Sequence, residues 1–337
     1  MSIFSRTLRA FSFLALALAL ALPAHAVTLK LATVSPEGSG WMKVLRKAGK
    51  EIAERTDSRV KLKFYPGGVM GDDKAVMRKI RIGQLHGAVL TTGPLISHYK
   101  DIQIFNLTMA FRSLEEIDYV RERLDAKVLA GLEDNGFTAF GFAEVGFAYA
   151  FGANPGTSVD FARQQKVWIP EGDAAAAQAI SAFGITPVPL SITDVLAGLQ
   201  TGLINGVASP PIATLALQWH TQLKHAIDLP LLYVYGMLAL NNKSFNKLSA
   251  EDQAVLRDVL GKAVDEVNAT SRSDHEQALA VMKKQGIQFA TPSATEVEVW
   301  RAAGEEANQG MVDEGLLSPE MYAEVMKLLA EYRATSG

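Results

Sequence analysis

The chain has 337 residues, with 33 basic against 36 acidic side chains, a formal charge of −3 and no cysteine. The missing cysteines exclude disulfide and thiol chemistry, and no basic stripe argues for nucleic acid. The length allows one large domain or two of medium size with an ample core.

The opening residues read as a targeting segment. Arg6 and Arg9 supply a positive start, Phe11 to Leu22 is an apolar run, and Ala24-His25-Ala26 is a cleavage signal. Residues 1–26 are therefore expected to be a signal peptide, with the mature chain beginning near Val27. The apolar run is short for a membrane span, and nothing later approaches one. The expectation is a soluble protein exported across one membrane.

From Val27 the pattern alternates between strand and helix. Val27 to Val34 reads as a strand, Trp41 to Thr56 as a helix, Val60 to Tyr65 as a second strand and Leu85 to Thr91 as a third. The turn Pro66-Gly67-Gly68-Val69-Met70-Gly71 precedes Asp72 and Asp73, either of which can cap the next helix. This β-α-β-α-β order predicts parallel pairing with right-handed crossovers. Ser113 and Glu116 form a capping box for a helix ending at Gly136. Phe137 to Phe151 is long and apolar, read as two strands crossing between lobes.

A second β-α-β run follows: strand Lys166 to Ile169, helix Ala174 to Phe183, strand Ile185 to Pro189. Ser191 and Asp194 suggest a capping box for a helix to Thr201. Gly206 to Ser209 is a short strand, Pro210 to Leu223 a helix with proline at its start, and Leu231 to Leu240 a strand that crosses back. A helical pattern of unusual length runs from Ser249 to about Gln285. A last strand near Gly286 to Phe289 and helices over Thr295 to Glu314 and Ser318 to Arg333 complete the chain. Two sheet-bearing halves joined by crossing segments imply a cleft between them.

The stretch Lys166-Val167-Trp168-Ile169-Pro170-Glu171-Gly172-Asp173 is where a ligand is expected. It runs from a short strand through a turn into a helix whose N-cap is Asp173. Ligands of open α/β sheets bind outside the carboxyl ends of strands. Glu171 and Asp173 could serve as an acid/base pair, although capping alone explains Asp173. His86, His98, His220, His225 and His275 show no ligand spacing for a metal, no G-x-S-x-G elbow appears, and the glycine-rich turn lacks the lysine of a phosphate loop. Trp168 reads equally as pocket or core; Trp41, Trp219 and Trp300 read as core. No catalytic residue, metal or cofactor is expected.

Three motifs carry a family resemblance. They are Leu29 to Thr33 with Pro36 to Ser39; Phe64 to Asp73 followed by Met77 to Leu85; and Ala197-Gly198-Leu199-Gln200-Thr201-Gly202-Leu203-Ile204-Asn205-Gly206. With them the chain resembles the DctP-type solute-binding subunits of tripartite ATP-independent periplasmic (TRAP) transporters, over nearly the whole mature length. The resemblance implies a periplasmic-binding-protein-like α/β fold, with two α/β lobes around a ligand cleft, joined by crossing strands and a long hinge helix. Lobe I would be residues 27–145 with about 234–270, and lobe II residues 146–233 with about 271–337. It also implies a job without catalysis: capturing a small organic solute, usually an organic acid, and delivering it to the small and large membrane subunits of a permease. A periplasmic sensor subunit, or a secreted enzyme using Glu171 as base, are the alternatives.

The resemblance places the ligand at Thr92, Ala148, Trp168, Glu171, Ile192 and Ser209. Family members commonly carry a carboxylate-binding arginine where Trp168 stands, often a second where Ala148 stands, and an asparagine where Ser209 stands. An indole lacks the guanidinium's charge and paired donors. Small dicarboxylates are therefore expected to bind weakly, and a ligand with an apolar or aromatic part, neutral or zwitterionic, is favoured.

Overall fold

The computed structural model describes residues 26–336; the expected signal peptide lies almost entirely outside them. Five segments build the first lobe's sheet and its cover. Strand β1 (Val27–Ala32) pairs in parallel with β2 (Val60–Tyr65) over six residues and with β3 (Gly87–Leu90) over two. Helix α1 (Gly40–Arg55) connects β1 to β2 and buries Met42, Leu45, Ala48 and Ile52, one face at helical spacing. Helix α2 (Asp73–Arg81) starts at Asp72, whose side chain accepts from the Ala75 N–H at 2.7 Å. The expected parallel β-α-β-α-β unit is thus present.

Helix α3 (Leu114–Asp134) follows, capped by Ser113, which accepts from the Glu116 N–H. The reciprocal half of the expected capping box is absent. Glu116 instead accepts from the Arg112 N–H at 2.7 Å and pairs with Arg333 at 2.7 Å. The apolar stretch after α3 divides into β4 (Phe137–Ala139) and β5 (Ala143–Gly152), as expected.

The second lobe holds α4 (Val159–Ala162), β6 (Val167–Pro170), α5 (Ala174–Ala182), β7 (Pro187–Leu190), α6 (Val195–Thr201), β8 (Gly206–Ser209), α7 (Pro211–Ala216) and β9 (His225–Ile227). Two expectations fail here. Ser191 does not cap α6, because its hydroxyl bonds the Thr193 hydroxyl at 2.8 Å and Asp194 makes no cap bond. The helix expected to reach Leu223 ends at Ala216, and Gln218 follows in the left-handed region at φ 61°. Strand β9, which sequence did not suggest, is added beyond it.

Strand β10 (Leu232–Asn241) returns to the first lobe. It is antiparallel to β3 and β4 through residues 237–241 and to β5 through 232–236. Strand β5 continues past this contact to pair with β8. These two ten-residue strands make one sheet of both lobes, with the path β2-β1-β3-β10-β5-β8-β6-β7. Helix α8 (Asn242–Phe245) leads into α9 (Ala250–Lys284), an unbroken 35-residue helix, roughly 50 Å long, packed on α1, β5 and α7.

Buried Glu144 ties the crossing region together. It pairs with Arg121 of α3 at 2.7 Å and with Arg272 of α9 at 3.0 Å, and its backbone N–H donates to Asn268. Strand β11 (Gln288–Ala290) pairs β9, and α10 (Ala294–Asp313) packs on α5. The final helix α11 (Pro319–Ser336) falls in the range expected with lobe II, yet it packs on α3 of lobe I.

Candidate functional site

A cavity of about 550 Å³ lies between the carboxyl ends of the strands of the two lobes. From the first lobe it is lined by Thr33 to Pro36 after β1, by Trp41 at the start of α1 and by Thr91 to Gly93 after β3. From the second it is lined by β6, β8, the start of α5 and Ile192. A space of that size, walled by both lobes and open to solvent, is one that a small molecule can enter.

Of the six residues named from sequence, four stand on the wall: Thr92, Trp168, Ile192 and Ser209. Thr92 is buried and its hydroxyl donates to the Asn106 side-chain oxygen at 2.8 Å; Asn106 in turn donates to the Tyr233 carbonyl. Ser209 is buried, and its hydroxyl reaches only the neighbouring Pro210 carbonyl at 3.3 Å. The other two are not on the wall. Ala148 is buried within β5, paired with Leu232 of β10. Glu171 sits at the rim, its side chain 47 % exposed and 3.6 Å from the Lys74 amine of the facing lobe.

The Trp168 indole N–H donates to the Leu190 carbonyl of β7 at 2.9 Å and is not free for a ligand. The ring meets Trp219 edge to face at 5.1 Å. What it offers a ligand is therefore an aromatic surface with its donor already used.

Trp41, Trp219 and Trp300 also border the cavity, so all four tryptophans of the chain do. Trp219 and Trp300 are nearly inaccessible and serve as core and wall at once. Trp41 approaches the crossing strand closely because residue 236 is glycine; a Cβ there would stand 2.8 Å from the indole. Periodicity alone could not separate these rings from ordinary core.

The wall carries two carboxylates and one imidazole, that of His225. Among the described residues no lysine or arginine lines it, whereas Asp173 and Asp274 do. Asp173 caps α5, accepting from the Ala176 N–H at 2.9 Å. Burial raises its carboxyl above the usual range, and the backbone N–H groups of Ala176 and Ala175 pull it part of the way back. Asp73 faces it from the first lobe. Burial, and then the nearby Asp72 and Asp173, push the Asp73 carboxyl up to about 6. The lobes touch here: a Cβ on Gly93 would stand 2.5 Å from the Asp173 carboxylate. No group of three or more histidine, aspartate or glutamate side chains forms a metal site among the described residues, nor is any described helix long and apolar enough to cross a membrane.

Comparison with known proteins gives the same architecture. Over 287 residues the chain is 28 % identical to the C4-dicarboxylate-binding periplasmic protein DctP of Rhodobacter capsulatus, covering 82 % of this chain and 84 % of that one. It is 20 % identical to the sialic acid-binding periplasmic protein SiaP of Vibrio cholerae, covering 79 % and 84 %. Among solved structures, a sugar acid binding protein from Advenella mimigardefordensis in complex with galactonate superposes with a TM-score of 0.82 at 17 % identity, covering 91 % and 98 %. A TRAP periplasmic solute-binding protein from Pseudomonas putida F1 with bound D-glucuronate gives 0.80 at 19 %, covering 90 % and 97 %. These establish the two-lobed fold. The profile described as "DctP: Bacterial extracellular solute-binding protein, family 7" matches residues 31–314. That family consists of substrate-binding proteins, and this chain belongs to it as a periplasmic solute-binding protein.

Proposed function

We propose that the chain captures one small organic solute in the interlobe cavity and presents it, enclosed, to the small and large membrane subunits of a TRAP permease. The observation that carries this is the cavity itself, sized for a metabolite, walled by both lobes and placed where α/β sheets bind ligands. Lobe I is read as residues 27–145 with about 234–270, and the packing of α11 on α3 adds the C-terminal helix to it. Closure follows from ligand contacts to both walls, because a solute shifts the open–closed balance only by what it gains in the closed form. No turnover is expected: Glu171, the base that sequence suggests, lies off the cavity wall beside a lysine.

The solute read from this wall is not a simple dicarboxylate. Relatives are named for C4-dicarboxylate and sialic acid, whereas this cavity presents two carboxylates, four tryptophans and the His225 imidazole, with no lysine or arginine among the described residues. Burying an uncompensated carboxylate against such a wall is severely unfavourable. A neutral or cationic polar head fits it better, with Thr92, Asn106, Ser209 and Asp173 as partners.

Thermal-shift screening of the mature protein against a metabolite library tests this. A solute that binds the folded state alone raises Tm by mass action. Hits among neutral or amine-bearing compounds are expected. A library in which nothing raises Tm would overturn the reading.

A further inference from the structure

The cavity is not confined to the cleft. Strands β6 and β8 are neighbours, but their ladder is a single residue pair, Val167 with Gly206. By contrast β6 and β7 pair over four residues, as do β5 and β8. Beyond Val167 and Gly206 the two strands form no further ladder pair, and all four residues of each border the cavity.

Side chains of a strand alternate between faces, so this lining reaches both faces of the sheet. Trp168, Val207 and Phe151 point to one face and pack with Trp219 in the large core. Val167, Ala208 and Ala150 point to the other and pack around Phe183, Ile185 and Trp300. All of these residues line the same cavity. Ala150, Ala179 and Ala208 belong to the interior of the second lobe, yet each keeps accessible surface because the cavity arrives there. Small side chains stand where larger ones would close the space.

We propose that the splay between β6 and β8 is a second ligand subsite, a passage through the sheet that takes an unbranched alkyl or planar aryl segment of the solute. The proposal rests on the solute-binding reading above and names the substrate class. The ligand is amphipathic, its polar head held in the cleft at Thr92, Asn106 and Asp173. Its apolar tail runs past Trp168 between the two strands and ends among Ala150, Ala179, Ala208 and Trp300. An apolar wall neither holds water well nor rewards a hydroxylated chain, so polyhydroxylated tails are excluded from this part.

The test uses primary n-alkylamines of two to eight carbons, with n-alkanols of the same lengths as the neutral arm, titrated into the mature full-length protein and followed by tryptophan emission. All four indoles border the path, so its filling is reported directly. Each added methylene is expected to tighten binding about fourfold until the passage is full. Ala208→Leu, which places bulk on the far face, is expected to end that gain at a shorter chain than in wild type. Ala179→Leu, on the opposing helix, does the same and guards against misfolding of the first variant; circular dichroism verifies each. Chain-length profiles in both variants identical to wild type would overturn the passage, as would a flat profile in wild type. A metabolite that raises Tm while the profile stays flat removes the passage alone. No response to any probe or metabolite removes the solute-binding reading with it.

Discussion

In lobe I, β1 and β2 are bonded along all six residues, and Leu29, Leu31, Met42 and Ile52 fill the space beneath them with no exposed surface. In lobe II, β6 and β8 share one pair, and the side chains behind them are Ala150, Ala179 and Ala208. Both lobes are α/β units of similar pattern. One spends its large apolar side chains on its own core; the other leaves room and surrounds it with aromatic rings. The contrast teaches that binding volume here comes from an interrupted ladder as much as from the gap between lobes. Where strands part, side chains must supply the walls, and Trp168 and Trp219 do so by packing on each other.

The largest expected effect comes from removing that support. Trp168→Ala deletes a buried ring and its bond to Leu190, and should destabilise the protein by about 3–5 kcal/mol, read as a lower midpoint in urea. It should also weaken ligand by roughly 1–3 kcal/mol through lost apolar contact, read by calorimetry. Unchanged stability would mean that the splayed strands do not depend on this ring.

Gly93→Ala probes the contact between lobes instead. The added methyl meets a carboxylate that is fixed as a helix cap, so neither side yields easily. Overpacking of this kind costs about 1–3 kcal/mol. Because the clash exists only when the lobes touch, it should appear as weaker ligand binding and a larger radius of gyration in ligand-saturated protein. A ligand-bound radius equal to wild type would place closure elsewhere.

Much of this was legible in the chain. The strands at Val60–Tyr65 and Gly206–Ser209, the caps at Asp72 and Asp173 and the long α9 follow from alternation, capping chemistry and uninterrupted helical spacing. Thr92, Trp168, Ile192 and Ser209 were placed on the wall through family motifs. Ala148 and Glu171 were not brought to it, since a motif fixes a residue's position on a strand or turn but not its distance from the ligand. Trp41, Trp219 and Trp300 escaped because a ring beside a cavity has the same local pattern as a ring in a core. The splay between β6 and β8 has no sequence signature, as pairing is a property of two strands far apart in the chain.

A smaller effect should follow pH. The Asp73 carboxyl is raised to about 6 in the folded protein, against an ordinary 3.8. The folded state then holds more protons than the unfolded one between these values, so this group favours folding at low pH and loses that contribution as pH rises through 6. Asp73→Asn mimics the protonated acid. It should be more stable than wild type at pH 7.5, by up to about 3 kcal/mol, with the difference shrinking as pH falls from 7 towards 4. Denaturant midpoints across that range decide it; a difference independent of pH would mean that Asp73 does not titrate as described.

The central claim is that a cavity of this family can work without a cation on its wall. Calorimetric titration of the mature protein with succinate, beside the best neutral or amine-bearing hit from the thermal-shift screen, tests it most directly. The account predicts one-site binding of the hit, weakened in Trp168→Ala, and no measurable heat of binding for succinate. Tight binding of succinate, indifferent to the loss of Trp168, would contradict it.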